Sequence, residues 1–100
     1  MKVRTKVEGN SALVTCTGSL GTTGSAEFDE AIRKLDEDVC HITLNLANVS
    51  FLSSAGLKSL ITVQRLCESR GGTLTLLTPS DEVMDSLNMC DLTPLFNIEH

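Results

Sequence analysis

The sequence has little of what nucleic-acid-binding proteins use. Three phenylalanines are its only aromatic residues, and its eight Lys and Arg residues are scattered along the chain. Nucleic-acid binding depends on clustered basic side chains or on aromatic rings that stack with bases. We therefore expect no nucleic-acid partner.

Long apolar segments are missing as well. No run approaches the roughly 20 apolar residues needed to cross a bilayer. Residues 1–5 lack the apolar stretch of a secretory signal. The sequence therefore predicts a cytoplasmic protein with no membrane insertion.

Metal-ligating and disulfide-forming patterns are scarce. The four cysteines, Cys16, Cys40, Cys67 and Cys90, are far apart, no Cys-x-x-Cys occurs, and only two histidines are present. Cys16 and Cys67 fall at apolar positions, which favours buried reduced thiols over a disulfide framework or a zinc site. We expect no metal and no cofactor.

Groups that would activate a nucleophile are equally few. A nucleophilic serine needs a neighbouring base, but the only internal histidine, His41, begins a predicted strand well before the serines at 53 and 54. Gly-x-Ser-x-Gly does not occur, and the glycine-rich residues 18–24 lack the lysine of a P-loop. The sequence thus predicts no catalytic residues and no enzyme activity.

What the chain does contain is enough apolar residues for one core. Its 100 residues, 41% of them hydrophobic, with a net charge of −5, predict a single domain over residues 1–100. Alternation indicates strands and helical spacing indicates helices, in the order β-β-α-β-α-β-α-β. The predicted segments are strands at 2–7, 12–17, 41–46 and 73–77, a loop at 18–25 followed by a helix, helices at 55–70 and near 83–87, and a closing turn and strand at 92–98.

The middle strands also predict how the layers pack. Ile42, Leu44 and Leu46 form one row of the third strand, whereas Thr43 and Asn45 form the other. A sheet covered on both faces would bury both rows. The sequence therefore predicts an α/β fold whose mixed sheet carries its helices mainly on one face.

Two adjacent serines, Ser53 and Ser54, stand between a strand and a helix. The backbone N–H groups at a helix start favour an anion or an attached phosphate. Serine is also a favoured helix cap, and the residues alone favour capping. One serine is enough for a cap, however, and Gly56 would permit close backbone approach.

Residues 44–57 resemble the signature of STAS domains, in particular the bacterial anti-sigma-factor antagonists: an apolar strand, a small polar residue, an aromatic-hydrophobic step, then Ser-Ser-Ala-Gly-Leu. Other segments continue the resemblance over nearly the whole chain. They are the Gly-x-Leu at 18–20, the Gly-Gly turn at 70–74, the strand and Pro-Ser at 76–80, and the closing segment at 92–98.

The resemblance implies a partner-switching protein. In the family, the unphosphorylated antagonist binds an anti-sigma factor that is also a serine kinase, which frees a sigma factor. The kinase phosphorylates a serine at the helix start, the complex separates, and a serine phosphatase resets it. The family's phosphorylated serine corresponds to Ser54. The implied partner-binding residues are Gly21, Thr22, Thr23, Ser53, Ser54, Ala55, Gly56 and Leu57.

The chain departs from the family pattern at two positions. Many antagonists carry Asp where this chain has Ser53, and an acidic residue where it has Gly21. One alternative is a STAS subunit of a transporter or other signalling complex that is not phosphorylated. Another is a small enzyme or nucleotide-binding protein, which the missing base and lysine disfavour.

Overall fold

The computed structural model describes residues 1–100 and contains one five-stranded sheet. The strands are β1 (Lys2–Glu8), β2 (Ser11–Leu20), β3 (His41–Leu52), β4 (Thr73–Leu77) and β5 (Asn97–Glu99), and they lie side by side in that order. The helices are α1 (Thr22–Arg33), α2 (Ser54–Ser69) and α3 (Asp81–Met89), with a 3-10 turn at Thr93–Leu95. The predicted order of strands and helices is confirmed, and the 3-10 turn is the predicted closing turn.

The sheet is mixed because its first two strands form a hairpin. β1 runs antiparallel to β2, and Gly9 turns the chain with φ +59°. The remaining pairs, β2 with β3, β3 with β4 and β4 with β5, are parallel. Each parallel crossover steps to the next strand in the same direction, and right-handed crossovers of that kind place their helices on one face of the sheet.

Burial follows that arrangement. The core consists of the helix-facing rows of the sheet and the apolar sides of the helices. In β3, Ile42, Leu44 and Leu46 are buried, whereas Thr43 and Asn45 keep partial exposure on the opposite face. The predicted one-sided packing is confirmed. No helix is both long enough and apolar enough to span a lipid bilayer.

The predicted loop at 18–25 is wrong. β2 continues to Leu20, α1 begins at Thr22, and only Gly21 separates them. Pairing with β3 extends to Leu20 opposite Leu52, and two register shifts near Gly18, which has φ +112°, accommodate the small residues. The glycines and hydroxyl residues indicated a loop locally, but hydrogen bonding to a distant strand outweighs that preference.

Gly24 explains why a glycine-containing segment starts a helix here. It is buried, and a Cβ at this position would collide with the carbonyl oxygen of Ser19 and lie 3.3 Å from Cβ of Met1. The first turn of α1 therefore packs directly on the end of β2, closer than any side chain would allow.

We expect Gly24→Ala to destabilise the protein by about 1–3 kcal/mol, because the added methyl group overpacks this contact. Helix propensity alone gives the opposite sign, since alanine in a helix interior is favoured over glycine by about 1 kcal/mol. Urea denaturation measures the change. Ala26→Gly, at an exposed position of the same helix, calibrates the propensity effect, and a stabilised Gly24→Ala variant would contradict the packing.

Candidate functional site

The serine pair lies where two strands end and two helices begin. Leu20 and Leu52 form the last residue pair between β2 and β3. The N–H of Ser53 then donates to the carbonyl oxygen of Leu20 at 3.1 Å, so α2 starts directly beside the end of β2. Functional residues of open α/β sheets gather at this edge, the carboxyl end of the strands.

Ser53 is the helix cap. Its backbone is extended (φ −86°, ψ 176°), and its Oγ accepts a hydrogen bond from the N–H of Gly56 at 3.2 Å. The same hydroxyl donates to the carbonyl oxygen of Leu20 at 3.2 Å. Its donor is therefore engaged, and its position is set by the ends of both elements that it joins.

Ser54 has a different environment. It is the first residue of α2, its side chain is exposed, and its hydroxyl makes no hydrogen bond within the chain. Capping is complete without it. The two adjacent serines thus divide into one that holds the structure together and one whose hydroxyl faces solvent.

Gly56 shapes the backbone under this surface. It is buried, and a Cβ there would collide with the carbonyl oxygen of Leu20 and lie 2.7 Å from Cδ1 of Leu52. Its neighbours Ala55 and Leu57 are half-buried. Gly56 allows α2 to begin in contact with the strand ends. This contact fixes the orientation of the first turn of α2 and therefore of Ser54.

The residues at the start of α1 lie next to this turn. Gly21 precedes the helix without a side-chain cap, and its carbonyl accepts from the N–H of Ser25 at 2.7 Å. Thr22 and Thr23 are exposed. Thr22 and Ala55 line one shallow cleft between α1 and α2, so the structure brings the two predicted groups of partner-binding residues together.

Sequence reasoning missed Phe51. Its side chain is 53% exposed, whereas the other two aromatic residues, Phe28 and Phe96, are buried. Phe51 pairs with Ser19 across the strand ends, and a Cβ on Gly21 would lie 3.8 Å from its ring. The sequence did contain a signal for this exposure. Successive side chains of a strand point to opposite faces of the sheet, so a buried Leu52 places Phe51 on the opposite face.

The edge of the sheet at the carboxyl ends of β2 and β3, together with the starts of α1 and α2, is called the serine edge below. It carries almost no charge. Residues 9–26 and 42–57 contain no Asp, Glu, Lys or Arg, although the chain has 13 acidic and eight basic residues. Neither α1 nor α2 has an acidic residue in its first turn. Lys58, one helical turn after Ser54, is the first charged side chain along α2. Depletion of charge is typical of the centre of a protein–protein interface.

The two groups whose pKa values are shifted are cysteine thiols that lie away from the serine edge. Burial raises the pKa of the Cys16 thiol to about 12. Burial also raises the pKa of the Cys67 thiol, although a backbone N–H of Ile42 and the charge of Arg70 lower it in part. All four cysteines are free, but only Cys16 and Cys67 are buried, so the prediction of buried thiols holds for these two and not for the exposed Cys90.

His41 is not part of the site. It lies at the start of β3, and Ser53 follows the other end of that strand. Its Nδ1 is 3.1 Å from Oγ1 of Thr73, within the sheet. The serine edge therefore holds hydroxyls, backbone amides and apolar groups, an arrangement suited to binding and to receiving a modification.

Comparison with known proteins identifies what this arrangement is similar to. The sequence matches the STAS domain family over residues 2–100. No curated protein matches it significantly. An anti-sigma factor antagonist from Mycobacterium paratuberculosis has a similar structure, with a TM-score of 0.83 at 17% identity, covering 97% of this chain and 83% of that one.

Two structures of SpoIIAA are also similar. The unphosphorylated anti-sigma factor antagonist SpoIIAA gives a TM-score of 0.81 at 20% identity, covering 99% of this chain and 89% of that one. The phosphorylated form, a Bacillus cell fate determinant, gives a TM-score of 0.76 at 20% identity, with 99% and 92% covered. At these identities the likeness shows a shared fold.

The unequal roles of the two serines lead to a stability prediction. Ser53→Ala should lower the free energy of unfolding by about 1 kcal/mol, because it removes the cap. Ser54→Ala should change it by less than about 0.5 kcal/mol, as expected at an exposed position without contacts. Urea denaturation of the two variants, each the control for the other, decides the matter. Equal losses, or a larger loss at Ser54, would contradict the assignment of the cap.

Proposed function

This chain belongs to the STAS domain family, and we propose that it is an anti-sigma-factor antagonist controlled by phosphorylation of Ser54. In its unphosphorylated form it binds an anti-sigma factor that is also a serine kinase, and this releases a sigma factor. Phosphorylation breaks the complex, and a serine phosphatase restores the binding form. The protein acts in the cytoplasm and is the substrate in this cycle, not an enzyme.

One observation carries the proposal: the hydroxyl of Ser54 is exposed and unbonded while Ser53 supplies the cap. A kinase needs a hydroxyl that can enter its active site without unfolding its substrate. Because the Ser54 hydroxyl makes no hydrogen bond, its modification does not remove an interaction that holds α2 in place. Modification of Ser53 would remove the hydrogen bond that its hydroxyl donates to the carbonyl oxygen of Leu20.

The docking surface in this proposal is the uncharged edge around Ser54. It includes Gly21, Thr22 and Thr23 from the start of α1 and Ser53 to Leu57 from the start of α2. Phe51 supplies an exposed aromatic group at its margin, and aromatic side chains that fill a partner's pocket often dominate binding energy. With Gly21 at the position where many relatives carry an acid, this surface offers a neutral contact to its partner.

Phosphate on Ser54 would change this surface more than the fold. It adds about −1.5 to −2 charges at neutral pH. The first amides of α2 have no acceptors within the helix and favour an anion, and Lys58 follows at the i,i+4 spacing that suits an ion pair. The domain can therefore tolerate the phosphate, whereas a neutral interface would have to desolvate it.

Phosphorylation is tested directly by mass spectrometry. We expect phosphate on Ser54, and not on Ser53, when the protein is isolated from its native cells with phosphatases inhibited. The same product should form when its kinase partner and ATP are supplied. Ser54→Ala is the matched control and should remain unmodified. Absence of phosphate under both conditions, or phosphate on Ser53, would sink the proposal and favour the unphosphorylated STAS subunit.

Charge at Ser54 should also break partner binding. Ser54→Asp is expected to weaken binding to the anti-sigma factor about hundredfold, since a neutral interface would have to desolvate the added carboxylate. The free energy of unfolding should change by less than about 0.5 kcal/mol. Ser69→Asp adds the same charge at the other end of α2 and should bind normally. Calorimetry measures both, and comparable affinities for the two variants would rule out this switch.

A further inference from the structure

The outer edge of β1 is an unpaired strand. β1 pairs only with β2, in continuous register from Lys2 opposite Thr17 to Glu8 opposite Ser11. Six of its seven residues are exposed, and it contains neither proline nor a bulge. The backbone N–H and C=O groups on its outer side are therefore open to pairing with another extended segment.

One row of this strand is basic. Lys2, Arg4 and Lys6 lie opposite Thr17, Thr15 and Leu13, on the face of the sheet that carries no helix. None of the three forms an ion pair within the chain. Three of the eight basic residues thus form one short row, close together both in sequence and in space, in a chain of net charge −5.

The other row of β1 borders a groove with a mixed polar and apolar lining. Val3 and Val7 lie opposite the buried Cys16 and Ala12, on the helix side, yet Val7 is 48% exposed. A groove of about 610 Å³ runs between β1 and α1, and Ala31 and Leu35 line it from the helix side. The helices leave this edge of the sheet only partly covered.

The rim of the groove carries both signs of charge, unlike the basic row. Glu27, Glu30 and Asp36 line it together with Lys2 and Lys34, and Glu27 lies 3.4 Å from the N-terminal ammonium group. These mixed charges give an acidic side chain no net attraction on this side, whereas an apolar one would cover Val3 and Val7. The two sides of the edge strand therefore favour different residues.

We propose that the β1 edge binds an extended segment of a partner protein in which acidic and apolar residues alternate. The segment would add a sixth strand through backbone hydrogen bonds, a known mode of peptide recognition. Its acidic residues would face Lys2, Arg4 and Lys6, and its apolar residues would enter the groove. This surface is independent of Ser54 and of the function proposed for it.

A second copy of the chain does not fit the same edge. Pairing β1 with β1 would place basic side chains beside one another, and like charges on neighbouring strands are destabilising. Basic residues on an edge strand do protect it from self-association. That role alone, however, does not account for the exposed Val7 or for the groove beside it.

The test uses the full chain and three blocked eight-residue peptides, followed by NMR titration of the backbone amides. A peptide alternating glutamate and valine should shift resonances of β1 and of the facing side of α1. Peptides alternating lysine with valine, or glutamate with serine, should bind at least about tenfold more weakly, because each loses one of the two matches.

Arg4→Glu should weaken binding of the glutamate–valine peptide about tenfold, because it turns attraction into repulsion at the centre of the row. Arg65→Glu makes the same charge change at an exposed position of α2 and should bind as the unaltered protein does. Thermal melting verifies that both variants are folded. No binding at millimolar peptide, equal binding of the three peptides, shifts outside β1 and α1, or equal weakening by Arg65→Glu would each overturn the proposal.

Discussion

The carbonyl group of Leu20 is the point on which the arrangement of the serine edge depends. It accepts from both the N–H and the Oγ of Ser53, at 3.1 and 3.2 Å, and it lies so close to Gly56 that no side chain fits between them. The end of β2, the end of β3 and the start of α2 are joined at this oxygen. A buried carbonyl oxygen must accept a hydrogen bond. The need of the Leu20 carbonyl for a donor therefore fixes the position of Ser53 and of the helix that follows it.

The residues at this junction divide into those that stabilise the fold and one that is exposed. Ser53 and Gly56 make the contacts of the junction, whereas the Ser54 side chain makes none of them and faces solvent. Gly24 performs the corresponding task under α1, where its missing side chain lets the first turn rest on Ser19. The starts of α1 and α2 are both held by close contacts with the backbone at the end of β2. The surface that they form consists of small, neutral groups, and its exposed side chains contribute little to the stability of the fold.

Sequence reasoning recovered the elements whose signal is local and periodic. The alternation in β3 and β4 gave the strands and the open face of the sheet, because burial on one side imposes period two. It failed at residues 18–25, since the partner that makes Leu20 part of a strand is Leu52, far along the chain. Spacing located the serine pair, and family resemblance selected Ser54. Hydrogen bonds to Leu20 and Gly56, which are tertiary, were needed to show that Ser53 is the cap, and the exposure of Phe51 became visible only once strand register was known.

The order of strands in space, which is also their order along the chain, bears on how this protein is made. Each strand pairs with the one synthesised just before it, so a nascent chain can complete β1 and β2 and then add one strand–helix unit at a time. No strand has to be inserted between two that are already paired. Each parallel pairing still has to close a loop that contains a helix, so these steps are slower than formation of the β1–β2 hairpin. Until the next strand has been synthesised, the newest parallel strand is a free edge of the sheet and is open to pairing with other chains.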